Sequence, residues 1–213
     1  GHGAPGNPGN ENSLCHDEQH EMLRVALALR DHLVATGHFD VHMARQGEAT
    51  PEYWPRVNAA AAYGSEVFLS LHSDTRGEPT LVDDCETNTD HPGFTVLYSD
   101  EPEDRDRRQA LARHVADAMT AQGFPAYDGR DYGTSYDVDT TAGVFIDRRG
   151  LLMLRRPTMP SVIIETHHAW APDEVAAWAT EDTLNRFEEA VTTALVAFLT
   201  PAPQAAEASP DPS

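Results

Sequence analysis

Ser161-Val162-Ile163-Ile164-Glu165-Thr166-His167-His168 is the stretch on which the fold turns. Ser161 to Ile164 is short, rich in β-branched residues and preceded by Pro160, so it reads as a buried strand that delivers a lone carboxylate at its carboxyl end. In an open α/β sheet that end is where ligands sit. An acid directly after Val-Ile-Ile is costly to bury unless something needs it there, which singles out Glu165. The two histidines that follow leave three readings open: a further metal ligand, a substrate contact, or packing.

Working outward, Glu66-Val67-Phe68-Leu69-Ser70-Leu71-His72 is the clearest other strand, and it too ends in a group able to bind a metal. Met22, Leu23, Ala26, Leu29 and Leu33 recur at three- and four-residue steps between a candidate N-cap, Asp17, and a stop at Gly37, which predicts an amphipathic helix. Thr50-Pro51-Glu52 opens a second helix that ends at Gly64. Further helices are predicted over 105–122 and from about 171 to 199, and further strands over 39–45 and 93–98. Residues 73–92 read as irregular and acidic, and 127–141 as a polar, Gly- and Asp-rich rim. Helix followed by strand, repeated, predicts a single α/β domain over 1–199. Its sheet would be mostly parallel and twisted, flanked by helices, with the metal site at the carboxyl ends of the strands. The Pro/Ala/Ser-rich stretch 200–213 is predicted to be a disordered tail.

A chain of 213 residues suits one core, which at this size buries about 70% of the unfolded surface. The net charge is −20, and all fifteen bases are Arg. Such a surface repels polyanions and argues against nucleic acid and anionic membrane as partners. No apolar run approaches the roughly 20 residues of a membrane span. Cys15 and Cys85 are the only cysteines, so at most one bridge can form; a bridge and two free thiols both remain open.

Zinc hydrolases typically hold their metal by three His, Glu, Asp or Cys side chains and leave one position for water. His2 sits between two glycines, Glu18 in the first turn of a helix and His72 at a strand end. If these three converge at one edge of the sheet, Glu165 becomes the general base of a zinc hydrolase. Each has a plainer alternative: a loose terminal residue for His2, a helix-dipole partner for Glu18, a hydrogen-bonded edge histidine for His72. His16 and His20 are four apart, but the H-E-x-x-H pattern needs Glu where Asp17 stands. There is no P-loop and no G-x-S-x-G elbow.

Together these motifs resemble the zinc-dependent N-acetylmuramoyl-L-alanine amidases of the amidase_3 family. Gly1-His2-Gly3 matches their opening loop, and Glu18 with Leu23, Ala26 and Leu29 matches their E-x4-L-x2-A-x2-L helix. Ala44-Arg45, Arg56, Ser70-Leu71-His72-Ser73-Asp74, Gly93-Phe94, Leu154-Arg155 and Met159 to Glu165 follow in the family's order. The resemblance implies Zn2+ held by His2, Glu18 and His72, with Glu165 as the catalytic carboxylate and Arg45 and Arg56 as structural residues. It further implies cleavage between N-acetylmuramic acid and L-alanine in peptidoglycan, by a monomer in the periplasm or secreted to the cell wall. Rival functions are another zinc amidohydrolase acting on a small N-acyl amino acid, and a silent wall-binding or regulatory relative. Two positions differ from the family pattern, Asp74 standing for Asn and His167-His168 for Gly-Phe. The family also places a strand and an Asp-Pro before its Gly-His-Gly, so a strand is expected upstream of Gly1.

Overall fold

Residues 1–47 and 49–200 are described by the computed structural model. In chain order the elements are α1 (Glu18–Ala35), α2 (Tyr53–Tyr63), β1 (Phe68–Asp74), β2 (Thr80–Val82), β3 (Cys85–Thr87), β4 (Thr95–Tyr98) and α3 (Arg105–Ala121). They continue with β5 (Tyr136–Val138), β6 (Val144–Asp147), α4 (Leu152–Arg155), β7 (Ser161–His168), α5 (Pro172–Trp178) and α6 (Glu181–Leu199). The chain forms one α/β domain around a five-stranded sheet ordered β1-β7-β4-β6-β5. From 201 onward the predicted tail lies outside the described residues.

The sheet is mixed, not mostly parallel. β1 and β7 run parallel, as do β4 and β6, while β4 lies antiparallel to β7 and β5 antiparallel to β6. The long excursion through α3 permits the parallel β4–β6 pair, whereas the few residues between β5 and β6 permit only a hairpin. All eight residues of β7 are buried because it has a neighbour on each side and cover on both faces.

The two-residue period of the strands sorts the chemistry from the core. Leu71, Val96, Tyr98, Val144, Val162 and Ile164 face α1, α3 and α6, and pack with Val25, Leu29, Val115, Phe187 and Val191. The opposite face carries Leu97, Phe145 and Ile163, covered by Tyr136 and Leu154. Ser70, paired with Ile163, and His72, paired with Glu165, follow the parity of that second face. On its other side Glu165 is paired with Thr95 of β4, so His72, Glu165 and Thr95 lie abreast on three adjacent strands.

Three local expectations are corrected. Residues 39–45 alternate in sequence but form no strand. A cleft of about 1000 Å³, lined among others by Phe39, Val41, Leu29 and Leu69, separates them from β1, so their backbone has no ladder partner. The segment read as irregular contains the hairpin β2–β3, whose three-residue strands are too short to show a period. The single long terminal helix is two: Thr180 ends the α5 segment and caps α6 by accepting a hydrogen bond from the Thr183 amide at 3.3 Å.

Candidate metal centre

The loop before α1 folds back on itself through Gly3 N–H to Asn7 O and Asn7 N–H to Ala4 O, each 2.9 Å, which turns His2 toward the start of α1. Arg56 donates to the carbonyls of Gly1 and His2, and Arg45 to that of Gln19 in α1, so both act as the supports expected of them. Glu18 is 1% exposed in the first turn of α1. His2 Nε2 lies 3.4 Å from Glu18 Oε2, and His72 Nδ1 lies 2.9 Å from Glu18 Oε1. One donor atom from each of the three falls within 4.8 Å of the others, and among the described residues this is the one such group.

The surroundings prepare those atoms. Asn7 Oδ1 accepts from His2 Nδ1 at 2.7 Å, which leaves Nε2 with its lone pair; Asn7 is itself oriented by donating to Tyr53 OH at 2.9 Å. His72 Nε2 sits 3.2 Å from Ser70 Oγ. Glu18 accepts from Asn10 N at 3.2 Å, Asn10 Nδ2 at 2.9 Å and Ser73 N at 3.2 Å. A Cβ at Gly9 would stand 2.5 Å from Glu18 Oε2 and 2.9 Å from the His2 ring, and φ is +89° there, so glycine is required for the loop to lie this close. Burial pushes the Glu18 carboxyl above its usual range and the His72 imidazole well below its own, which leaves a neutral ring able to ligate. Two imidazoles and a carboxylate, with their other atoms held by hydrogen bonds, fit a divalent metal ion.

Beside this group Glu165 is 8% exposed, and its Oε2 has no hydrogen-bond partner. Burial, reinforced by the Asp74 and Glu18 carboxylates, pushes its pKa well above the ordinary carboxylate value, against the pull of Arg76 and Arg149. A buried carboxyl with a free oxygen and a raised pKa suits proton transfer.

The profile of the N-acetylmuramoyl-L-alanine amidases matches residues 1–197. The chain belongs to that amidase family. The family's chemistry is hydrolysis of an amide bond in peptidoglycan. A search of curated proteins returned no match. Among solved structures, the N-acetylmuramyl-L-alanine amidase of Mycobacterium smegmatis is 21% identical with a TM-score of 0.72, covering 90% of this chain and 81% of its own. The catalytic domain of the amidase from Bacillus (Paenibacillus) polymyxa var. colistinus is 21% identical with a TM-score of 0.71, covering 93% and 94%. An amidase of Nostoc punctiforme is 20% identical with a TM-score of 0.68, covering 93% of each chain. At these identities the likeness is one of fold.

The two departures from the amidase pattern have local explanations. Asp74 Oδ2 accepts from Arg76 Nε at 3.0 Å and from Tyr132 OH at 2.6 Å, while the Arg76 guanidinium lies 4.0 Å from the Tyr127 ring centroid. A charged residue at 74 is thus matched by a buried arginine two positions on. At the histidines, Thr166 and His167 together stand opposite Ser73, a bulge that follows from the shift in register between His72 and Asp74. His167 stacks on Trp178 with centroids 5.3 Å apart and places Nε2 3.5 Å from Glu21 Oε1. His168 lies beside Trp170 with its Nδ1 3.4 Å from Asp74 O. Both rings are fully buried and neither joins the ligand group, so packing is the reading that holds.

Cys15 and Cys85 form a disulfide, with Cα atoms 5.3 Å apart, that ties the loop before α1 to β3. Sequence reasoning missed Asn7, Asn10, Ser70, Thr95 and Tyr132. Asn7 and Asn10 carried a signal as polar residues in a Gly-rich loop beside a candidate ligand, Ser70 as part of the motif around His72, and Tyr132 only as a member of the predicted 127–141 rim.

Proposed function

We propose that the chain is a zinc-dependent N-acetylmuramoyl-L-alanine amidase in which His2, Glu18 and His72 hold the ion and Glu165 moves the proton. The observation that carries this is the meeting of three donor atoms within 4.8 Å beside an unpartnered oxygen of Glu165. Bound there, zinc supplies Lewis acidity toward the scissile carbonyl and lowers the pKa of a water toward about 7. Glu165 takes the proton of the attacking water and returns it to the leaving amine of L-alanine, a dual task that its raised pKa favours. Asn7 and Ser70 hold the two imidazoles in register, and Asp74 with Tyr132 and Thr95 lines the far side of Glu165. We assign the catalytic unit to residues 1–199.

The Cys15–Cys85 bridge supports action outside the cytoplasm, where disulfides persist, and no described helix is long and apolar enough to cross a membrane. Digestion of purified sacculi tests the reading. Wild-type protein should release peptides beginning with L-alanine, and Glu165→Gln should lower kcat by roughly 10²–10⁴-fold. Full activity in the variant, or purified protein lacking stoichiometric zinc by elemental analysis, would overturn it.

A further inference from the structure

Glu18, Asp74 and Glu165 gather carboxylates around the site in a chain of net charge −20. A substrate bearing an anion would be repelled there unless a cation met it. Most arginines near the sheet already have carboxylate partners: Arg76 pairs with Asp74, and Arg148 with Asp100 and Asp137. Arg149 differs. Among the described residues its exposed guanidinium makes no hydrogen bond or ion pair; it lies over the Tyr136 ring, 4.6 Å from the centroid.

The backbone that presents Arg149 is fixed. Asp147, 1% exposed, accepts from the amides of Arg149 at 3.0 Å, Gly150 at 2.9 Å and Leu151 at 2.8 Å. From the guanidinium a ladder of rings leads to the proton-moving carboxylate. Tyr136 lies 4.5 Å from Tyr132, whose hydroxyl is 2.6 Å from Asp74 Oδ2 and 2.9 Å from Thr95 Oγ1, and Thr95 is the strand neighbour of Glu165. The Arg149 charge is felt at both Glu165 and His72.

Polarity follows from the sheet. The ligands lie toward β1 at one edge, and Glu165, Tyr132 and Arg149 succeed one another toward β5. Because Glu165 returns the proton to the leaving amine, the peptide half of the substrate faces Glu165 and extends toward Arg149. We propose that Arg149 reads a free carboxylate on the peptide side of the scissile amide. The favoured substrates are then muramoyl peptides whose residue after L-alanine keeps its carboxylate unamidated. The proposal rests on the amidase reading above and adds a substrate class to it. A guanidinium resting over a ring and without a carboxylate partner can meet a carboxylate in two parallel hydrogen bonds.

Two synthetic N-acetylmuramoyl dipeptides, identical except for a carboxylate or a carboxamide on the second residue, provide the test. Zinc-loaded wild type should cleave the carboxylate form with kcat/KM roughly tenfold or more above the amide. Arg149→Gln should bring the two within about twofold, chiefly by raising KM for the carboxylate form, and Arg149→Lys should restore part of the gap. Equal rates in the wild type, or an undiminished preference in Arg149→Gln at unchanged Tm, would overturn the proposal. Calorimetric titration of Glu165→Gln protein with the two free dipeptides reads the same discrimination without turnover. If the wild type cuts neither substrate but this titration still favours the acidic dipeptide only while Arg149 is present, the amidase reading fails and the Arg149 assignment stands; equal binding overturns the assignment.

Discussion

Asn7 and Ser70 each face the ring nitrogen that the metal would not use, at 2.7 Å from His2 Nδ1 and 3.2 Å from His72 Nε2. Such partners fix the tautomer and aim of a ligating histidine, and losing one typically lowers metal affinity by about 10–100-fold. Asn7→Ala and Ser70→Ala should each do so in a chelator-competition titration, with kcat at saturating zinc falling less than affinity. An unchanged affinity would assign these side chains to packing alone. At this scale the proposed ligands His2, Glu18 and His72 and the proposed base Glu165 could be singled out because each sits in a short motif or at the end of an apolar run. Their supports were not. Tyr53 lies 46 residues from the Asn7 it orients and Tyr132 lies 58 from Asp74, so no local pattern joins them. Arg76, only two residues from Asp74, gave no sign that it would be buried.

Among the elements, the end of β5 is clasped to α3 and β4 through one side chain. Asp139 accepts from Tyr98 OH at 3.0 Å, Gln109 Nε2 at 2.7 Å, Arg113 Nε at 2.9 Å and the Thr141 amide at 3.0 Å. Burial alone would raise its carboxyl, but these donors outweigh burial and hold it well below the usual carboxylate range. The same contact, after burial, pushes the Tyr98 hydroxyl up to about 12. Asp139→Asn removes the charge and should cost about 2 kcal/mol, or about 4–8 °C in Tm. With a folded pKa below the unfolded one, the stabilisation is fully present above pH 3.8 and is lost as pH falls through the lower folded value. Thermal melts across that range should therefore show wild type and variant converging only in strong acid. A gap that stays constant into acid would show that shape rather than charge matters. Helices α1 and α3 were readable from their periodicity, whereas β2, β3 and β5, with three residues each, carry too few positions to show one. The 39–45 segment shows the converse, since alternation predicts a strand only where a neighbouring edge exists to pair with it.

For the molecule as a whole, the Cys15–Cys85 bridge closes a loop with a sequence separation of 70, worth about 4 kcal/mol in the chain-entropy picture. Replacing both cysteines by serine should lower Tm by about 8–16 °C. A calorimetric scan that finds no change would mean that the hairpin β2–β3 holds its place without the tie. The α/β class and the strands β1 and β7 could be read from helix–strand alternation and two apolar runs. The antiparallel insertion of β4 beside β7 could not, because strand direction is set by connections whose paths the sequence does not print. The division of the chain around the sheet has a further consequence. All three proposed ligands come from residues 2–72, while the wall bearing Tyr132, Tyr136 and Arg149 comes from 127–151 and is pinned by the buried Asp147. If the proposed roles hold, mutations in this wall would rewrite which peptide is cut without touching the atoms that cut it, and exchanging this one segment between relatives would be a route by which new specificities arise while the chemistry is inherited intact.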